Sequence, residues 1–131
     1  MQWFDIIDNT NEAPYTSTMS LPYPKVGTEN STSRIGVVAV SGGKDTLWMD
    51  LLPQEKGVGG QPAEHYLASL DWVSDEALAV QRLPRAQNRV DVLLADTSTG
   101  SSRTVFSESD DCWVDIDPSM HWTGEDRRVC I

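Results

Sequence analysis

Few residues in this chain have the types and the spacing that enzyme chemistry requires. A G-x-S-x-G motif, which would hold a serine on a strained turn beside backbone amides, does not occur. The stretch SGGKDT at residues 41–46 is similar to a phosphate-binding loop, but Val38 replaces its first glycine and Asp45 replaces its serine or threonine. We therefore interpret residues 41–45 as a hairpin turn, and we predict no catalytic residue.

Metal chemistry has equally weak support. The stretch DIDPS at residues 115–119 begins like a calcium loop, but Met120 stands where that loop needs a glycine for its sharp turn. Cys112 and Cys130 match no zinc spacing, and they are either two free thiols or a single bridge. We therefore predict no metal site and no cofactor.

Two further polar features are interpreted as surface or structure. The acidic run SESDD at residues 107–111 could be a recognition patch, but a charge run in a loop is usually a solvated surface. His65 and His121 lie 56 positions apart in the sequence. We interpret both as turn or structural residues.

Composition limits the partners of the chain. Its 131 residues include 20 acidic and 10 basic side chains, and the net charge of -10 opposes nucleic-acid binding, which needs phosphate neutralisation. No apolar run approaches the roughly 20 residues of a membrane helix. The start MQWFDIID lacks the features of a secretory signal. A periplasmic, a secreted and a cytosolic location all fit these features.

The sequence predicts an all-β protein. Helical periodicity is nearly absent, and short β-branched and aromatic runs alternate with turn residues about every ten positions. Glycines in SGGKD and in DTSTGSS, residues 96–102, predict hairpin turns with positive φ, and residues 53–65 predict a long surface connection. The predicted strands cover residues 3–7, 17–21, 35–40, 46–51, 66–72, 78–83, 90–96, 103–107, 113–116, 120–122 and 128–131.

Two segments of the sequence are similar to each other. LDWVSDEALAV at residues 70–80 and MHWTGEDRRVC at residues 120–130 share an apolar residue two before a tryptophan and an acidic residue three after it. Their tryptophans, Trp72 and Trp122, lie 50 positions apart. A repeat of about this length, with four short strands in each unit, is typical of β-propeller blades.

This repeat predicts how the chain is divided. Residues 66–107 form one complete four-stranded blade, residues 27–52 form the end of the preceding blade, and residues 113–131 form the start of the next. Strands inside a blade are covered on both faces, and IGVVAV, ALAV and VDVLLA are accordingly apolar at most positions. Because a closed propeller needs at least about four blades, we expect the chain to be a sector of a larger ring.

An ordered series of motifs goes beyond general β character. The series is YPKVGTEN, LAVQRLPRAQN, VLLADTSTG and CWVDI, and it resembles the N-terminal β-propeller of the dipeptidyl peptidase IV family and its bacterial relatives over residues 22–131. Val26 and Ser31 depart from the family, which usually has alanine and proline there. The resemblance rests on Tyr23, Pro24, Lys25, Gly27, Asn30, Gln81, Arg82, Leu83, Arg85, Gln87, Asn88, Asp96, Gly100, Trp113 and Val114.

The resemblance implies an eight-bladed propeller over an α/β-hydrolase domain, which together remove dipeptides from peptide N-termini and prefer proline or alanine at the second position. In that family the catalytic serine, aspartate and histidine lie in the hydrolase domain, and the glutamate pair that binds the substrate amine lies on an insertion in the fourth blade. Neither group carries over to this chain. The family's segment after WV lies near the substrate cleft, so Asp115, Ile116 and Asp117 could line it, with ordinary strand residues as the alternative.

Residues 1–26 predict an extended β-hairpin arm. WFDII and TSTMSLPY flank a polar turn, DNTNEAP. Similar proteins have a two-stranded arm here, which leaves the fourth blade and helps to form a homodimer. A lone hairpin is only marginally stable in water, so a partner subunit is the expected cover for the apolar side chains. These are Trp3, Phe4, Ile6, Ile7, Met19 and Leu21.

We therefore predict an all-β chain, a sector of an eight-bladed β-propeller with a hairpin arm, as a non-catalytic segment of a dipeptidyl peptidase IV-like serine exopeptidase. On its own the chain should have no peptidase activity. We expect a homodimer or larger self-association through the arm and the open blade edges, and peptide substrate in the full-length parent alone. The alternative is a self-standing β-rich interaction module without peptidase activity.

Overall fold

The computed structural model of the chain consists of antiparallel hairpins and one four-stranded sheet. It describes residues 3–25, 27–28, 30–43, 45–118, 120–123 and 128–130, with the backbone alone for Val58 and for residues 122–123 and 128–130. The side chain of Cys130, and residues 124–127 between the predicted strands 120–122 and 128–131, therefore lie outside the described part of the chain. The chain divides into two compact units, Met1–Ser31 and Thr32–Ile131. The predicted boundaries of arm and blades stay predictions.

The first unit contains one hairpin, formed by β1 (Trp3–Ile7) and β2 (Thr18–Pro22). The strands match the predicted ranges to within one residue, and every strand residue is exposed except Leu21, which is half-buried. Side chains shape the connecting turn, because Asp8 Oδ1 accepts a hydrogen bond from the backbone N–H of Thr10 at 3.0 Å. This local pairing agrees with the polar composition of the turn.

The second unit is built around an antiparallel meander. β5 (His65–Ser74), β6 (Ala77–Pro84), β7 (Arg89–Asp96) and β8 (Ser102–Ser109) follow one another in the sheet in chain order. Before the meander lies the short hairpin of β3 (Gly36–Val37) and β4 (Leu47–Trp48), and after it lies the hairpin of β9 (His121–Thr123) and β10 (Arg128–Cys130). A 3-10 turn, Val58–Gly60, lies in the connection from β4 to β5.

The first face of the meander packs on the segment that precedes it. Leu78, Val80 and Leu93 lie on this face and are at most 3% exposed. They form one buried cluster with Met49 and Leu51, and partly buried residues of the β3–β4 hairpin pack against it. The predicted cover of the inner strands is present on this side.

The second face packs on the segment that follows the meander. Residues 113–118, which we call the strap, run across this face outside any strand. Because β6 and β7 are covered on both faces, their sequences are nearly continuous apolar runs instead of alternating ones. Two clusters hold this face together: Ala79, Val92 and Met120, and Leu83, Val90 and Val114.

The turn between β7 and β8 also contacts the preceding segment. Gly100 has φ +78°, as the predicted hairpin turn requires, and its carbonyl accepts a hydrogen bond from the N–H of Asp50 at 2.7 Å. A Cβ atom at Gly100 would lie 2.7 Å from the carbonyl oxygen of Trp48. Glycine therefore permits both the turn and the close backbone approach.

Three predicted strands, 35–40, 46–51 and 113–116, differ from the structure. Residues 113–116 are not a strand, because their backbone pairs with a turn: the N–H of Val114 donates to the carbonyl of Gln87 at 3.0 Å. The predicted strands 35–40 and 46–51 shorten to β3 and β4, because the ladder between them contains two residue pairs. Val38 and Val40 lie beyond this ladder and are 56% and 106% exposed. The prediction that IGVVAV is covered on both faces is therefore wrong for these two residues.

The two similar tryptophan segments form corresponding hairpins. Trp72, in β5, pairs with Leu78 in β6. Trp122, in β9, pairs with Val129 in β10, so both tryptophans lie on the first strand of a hairpin opposite an apolar residue. The partner of Trp72 lies six positions later in the chain and the partner of Trp122 lies seven positions later, so the two hairpins differ by one residue in register. The predicted repeat stays a prediction.

Candidate functional site

An open cleft of about 670 Å³ lies at one end of the meander. In antiparallel sheets the start of one strand lies beside the end of the next, so the start of β5, the end of β6, the start of β7 and the end of β8 meet there. Most of the residues that line the cleft are polar or charged. The lining consists of Pro53, Glu55, Ala63, Glu64, His65, Arg82, Pro84, Asn88, Arg89, Asp91, Ser109, Asp110 and Asp111.

The most buried charges of this cleft are Arg82 and Asp91. They are direct cross-strand partners on β6 and β7, and their Nη2 and Oδ2 atoms lie 3.0 Å apart. Their side chains are 8% and 6% exposed. Arg82 Nη1 also donates to the carbonyl of Leu51 at 2.9 Å, so the pair links the sheet to the segment before it. This geometry is that of a structural cross-link.

The carboxyl group of Asp91 has three hydrogen-bond donors. Burial alone raises its pKa because it penalises the charged form. Hydrogen bonds from Ser107 Oγ at 2.6 Å, Arg82 Nη2 at 3.0 Å and Arg89 Nε at 2.8 Å outweigh burial, and the net pKa is lowered. Asp91 therefore stays ionised near neutral pH, which makes it a poor general acid or base.

The rim of the cleft has exposed ion pairs. Arg85 pairs with Glu64, and this hydrogen bond raises the pKa of Arg85. Arg89 pairs with Glu55 at 3.3 Å, with side chains that are 43% and 61% exposed. Such pairs contribute little to stability because water screens them.

The imidazole of His65 is held by the local backbone. Its Nδ1 atom lies 3.1 Å from the carbonyl oxygen of Ala63, two residues earlier in the chain. This contact fits the predicted structural role of the residue. The described residues contain no group of three or more His, Cys, Asp or Glu side chains that could hold a metal ion.

The acidic run at residues 107–111 has a local structural role at Asp110. Its Oδ1 atom accepts hydrogen bonds from the N–H groups of Cys112 at 2.7 Å and Trp113 at 3.3 Å, and these bonds lower its pKa. The N–H of Asp110 donates to the carbonyl of Asn88 at 3.0 Å. The turn therefore fixes the start of the strap, and the Cys112 thiol lies exposed and free beside it.

The predicted cleft residues lie on the strap, outside the 670 Å³ cleft. Asp115 is exposed, and its Oδ1 atom accepts a hydrogen bond from Trp113 Nε1 at 3.2 Å. Ile116 is half-buried and packs against the cluster that contains Val114. Asp117 is exposed, and its backbone carbonyl accepts a hydrogen bond from Gln81 Nε2 at 2.8 Å. Their role at a substrate cleft stays a prediction.

The motif residues on β6 and its following turn hold the fold together. Gln81 contacts the strap, Arg82 pairs with Asp91, and Leu83 belongs to a core cluster. Gln87 adopts φ +54° and accepts the hydrogen bond from Val114. Sequence reasoning missed the role of Asp91, although a hairpin with its turn at residues 85–88 would have placed this residue opposite Arg82.

The hairpin of the first unit presents a second candidate surface. Directly opposite residues of an antiparallel pair point to the same face, and Phe4 pairs with Leu21 while Ile6 pairs with Met19. These four side chains form an apolar face, with exposed fractions of 38%, 45% and 65% at Phe4, Ile6 and Met19. We call it the hairpin face. Trp3 and Ile7 point to the opposite side.

One end of the hairpin face has a cation beside an aromatic ring. Lys25 Nζ lies 4.3 Å from the ring centroid of Phe4, and the ring of Tyr23 lies 6.1 Å from it. At an exposed site, a contact of this kind contributes about 0.5 to 1 kcal/mol. Phe4 is therefore partly enclosed, whereas Ile6 and Met19 remain open to solvent.

A four-stranded antiparallel meander with both faces covered by flanking segments places the chain in the propeller-like class of all-β proteins. Residues 2–131 match the family model described as "Dipeptidyl peptidase IV (DPP IV) N-terminal region". The chain belongs to this family, which confirms the resemblance seen in its motifs.

Similar proteins include several named dipeptidyl peptidases. Dipeptidyl peptidase 4 of Sus scrofa is 34% identical over 91 residues, which cover 66% of this chain and 12% of that protein. Inactive dipeptidyl peptidase 10 of Mus musculus is 29% identical over 109 residues, which cover 83% and 13%. Venom dipeptidyl peptidase 4 of Apis mellifera is 26% identical over 117 residues, which cover 89% and 14%. The chain therefore spans only a small part of these relatives.

A solved structure from Bacteroides ovatus ATCC 8483, described as a dipeptidyl aminopeptidase IV, has a similar fold. The TM-score is 0.66 at 17% sequence identity, over 92% of this chain and 16% of that one. At this identity the likeness concerns the fold alone. In the part of the chain that the structure describes, no helix is long and apolar enough to cross a membrane.

Proposed function

We propose that this chain is a non-catalytic propeller segment of a dipeptidyl peptidase IV-like serine exopeptidase. The observation that carries the proposal is the family match over residues 2–131. In this proposal the parent protein is an eight-bladed propeller with a hydrolase domain, and it removes N-terminal dipeptides with proline or alanine at the second position. The segment shapes substrate access and supports dimerisation.

The described contacts support a framework role for the meander. Its buried charges, Arg82 and Asp91, are paired with each other, and Arg82 also donates a hydrogen bond to the carbonyl of Leu51, so the pair links the sheet to the preceding segment. Both faces of β6 and β7 are already covered by the chain itself. Substrate contact in the parent is therefore assigned to exposed groups of the strap, Asp115 and Asp117, next to half-buried Ile116.

The hairpin face supports the dimerisation part of the proposal. Phe4, Ile6, Met19 and Leu21 form a continuous apolar surface on a two-stranded ribbon, which is only marginally stable alone in water. Because these side chains are uncharged, a second apolar hairpin is a suitable cover. The proposed partner is a second copy of the same chain.

The peptidase part is tested with the purified 131-residue chain. The chain is incubated with Gly-Pro and Ala-Pro chromogenic substrates, with a full-length dipeptidyl peptidase as the positive control. We expect no hydrolysis, because the chain has no nucleophile elbow. Hydrolysis that a serine-directed inhibitor abolishes would contradict the non-catalytic assignment.

The dimerisation part is tested by sedimentation of two matched variants. Ile6→Lys puts a charge on the hairpin face, whereas Ile7→Lys puts the same charge on the opposite side of the same strand. We expect Ile6→Lys to shift the chain toward monomer and Ile7→Lys to leave the oligomer distribution near that of the unchanged protein. A strictly monomeric unchanged chain at high concentration, or equal effects of the two variants, would remove support for the hairpin face.

A second candidate function is a self-standing interaction module without peptidase activity. One relative, from Mus musculus, bears the word "inactive" in its name while matching 83% of this chain. The encoding reading frame separates the two candidates. Continuation into a hydrolase domain with G-x-S-x-G favours the peptidase segment, and a stop codon after Ile131 together with independent folding favours the module.

A further inference from the structure

Gln81 is a buried polar residue on the second face of the meander. It is 3% exposed, and its neighbours on the same side of β6 are Ala79 and Leu83. Each of these neighbours belongs to one of the apolar clusters that hold the strap region. An amide in such surroundings costs free energy unless its polar atoms are hydrogen-bonded.

Only part of the Gln81 amide is paired within the described residues. Its Nε2 atom donates to the carbonyl of Asp117 at 2.8 Å, across 36 residues of chain. Its Oε1 atom is buried without a partner among the described residues, and so is the Oγ atom of Ser69, which pairs with Gln81 across β5 and β6. An apolar side chain of similar volume would therefore suit this core at least as well.

The side-chain hydrogen bond of Gln81 supplies direction in the part of the strap that follows Val114. Hydrogen bonds of the Trp113 and Val114 N–H groups hold the start of the strap. Further along, Ile116 and Met120 make apolar contacts, which are not directional. A slip of two residues along an extended segment keeps the same side chains inward. A buried hydrogen bond to one carbonyl distinguishes the two registers, as buried polar residues do in other folds.

We propose that Gln81 is a positioning residue that fixes the register of the strap. Through this register it sets where the exposed side chains of Asp115 and Asp117 stand on the surface. The register role depends on contacts within this chain alone. Its consequence for substrate access rests on the proposed function.

Amide hydrogen exchange of the full chain tests this role with two variants of similar side-chain volume. Gln81→Met keeps the apolar bulk and removes the donor, and Leu83→Met changes an apolar neighbour on the same face and keeps the donor. The reporter is the Val114 amide, which donates to Gln87. We expect about tenfold faster exchange at Val114 in Gln81→Met, the loss of roughly one hydrogen bond, with unchanged exchange in β7. Leu83→Met should leave Val114 near its original rate.

Two exchange results would overturn the proposal. One is an unchanged Val114 rate in Gln81→Met, and the other is equal acceleration by Leu83→Met, since packing alone would then explain the effect. If Gln81→Met does not fold, NMR of the unchanged chain decides: contacts from the Gln81 side-chain amide protons to Asp117, with slow exchange of those protons, support the role. Absence of these contacts rejects it. Neither measurement involves peptide hydrolysis, so its outcome is separate from that of the peptidase assay.

Discussion

The β1–β2 hairpin and the β5–β8 meander use similar residue types but differ in what covers them. In the hairpin, Ile6 is 45% exposed, whereas Leu78 in the meander is 2% exposed. The meander has flanking segments on both faces within its own unit. The difference shows that an apolar strand becomes core where other segments of its own unit cover both of its faces.

The polar contacts of the two regions differ in the same way. The meander contains a buried ion pair, Arg82 with Asp91, whose loss would leave a charge without a partner inside the protein. The hairpin has exposed contacts, such as the hydrogen bond from Ser20 to Asp5, which water can replace. The same kind of substitution should therefore lower the free energy of unfolding more in the meander than in the hairpin.

The largest effect is expected for Asp91→Ala. This change leaves Arg82 buried and unpaired, and it should lower the free energy of unfolding by about 3 to 5 kcal/mol. The matched control, Glu55→Ala, breaks the exposed pair with Arg89 and should cost less than about 1 kcal/mol. Urea unfolding followed by circular dichroism measures both, and equal losses would show that burial of the pair does not matter.

A nearly equal effect is expected for Leu78→Ala. Removing this buried side chain should cost about 2 to 5 kcal/mol, because a cavity remains in the cluster on the first face. In the monomeric chain, Ile6→Ala removes a side chain of the same volume from the exposed hairpin and should change the free energy of unfolding by less than about 0.5 kcal/mol. Thermal and urea unfolding of both variants measure these losses. An equal loss in free energy of unfolding for Ile6→Ala and Leu78→Ala would contradict the difference between the two regions.

Gly100→Ala should have an intermediate effect. A φ of +78° costs an alanine about 1 to 2 kcal/mol, and the new Cβ would also press on the Trp48 carbonyl. Gly42→Ala is the matched control, because it has φ +86° and nothing lies within 4 Å of its Cβ position. We expect Gly100→Ala to be the more destabilising of the two in urea unfolding. Equal losses would mean that the turn does not press against the preceding segment.

The smallest effect is expected from acid. The folded pKa of Asp91 is lowered, so its contribution is complete above its unfolded pKa of about 3.9 and is lost as pH falls through the folded value. Hydrogen bonds also lower the pKa values of Asp96 and Asp110, so several carboxylates act together in this pH range. As the pH is lowered below about 4, the urea concentration at the unfolding midpoint should therefore decrease. The decrease should be less steep in Asp91→Asn than in the unchanged protein. Identical slopes for the two proteins would contradict the assigned pKa direction.

Most of the β elements could be predicted from the sequence, because their signals are local. A turn glycine such as Gly100 is recognisable because its position needs a positive φ. The apolar runs of β6 and β7 are recognisable because consecutive residues of these strands are buried. The sequence predicts a strand over residues 113–116 of the strap, because Trp113 and Val114 favour β structure. Its backbone instead pairs with the turn at Gln87, a partner that no local pattern reveals.

The candidate sites were less predictable than the fold. The apolar residues of the hairpin could be identified from the sequence alone. Which of them lie on the hairpin face and which on the opposite side could be assigned only from the register of β1 and β2. The absence of a nucleophile elbow could be read directly from the sequence. The contact from Gln81 to Asp117 spans 36 residues, so the sequence showed both residues without indicating that they meet.

By itself, the sequence determined the all-β character, the positions of the main strands and turns, and membership of the dipeptidyl peptidase IV family. These properties follow from side-chain period, turn chemistry and ordered motifs, which are all local along the chain. The tertiary structure alone decided that Arg82 and Asp91 form a buried pair, that Ile116 turns inward and that Gln81 holds the strap. Each of these depends on which distant segments pack together, because burial and hydrogen-bond partners are properties of the packed chain.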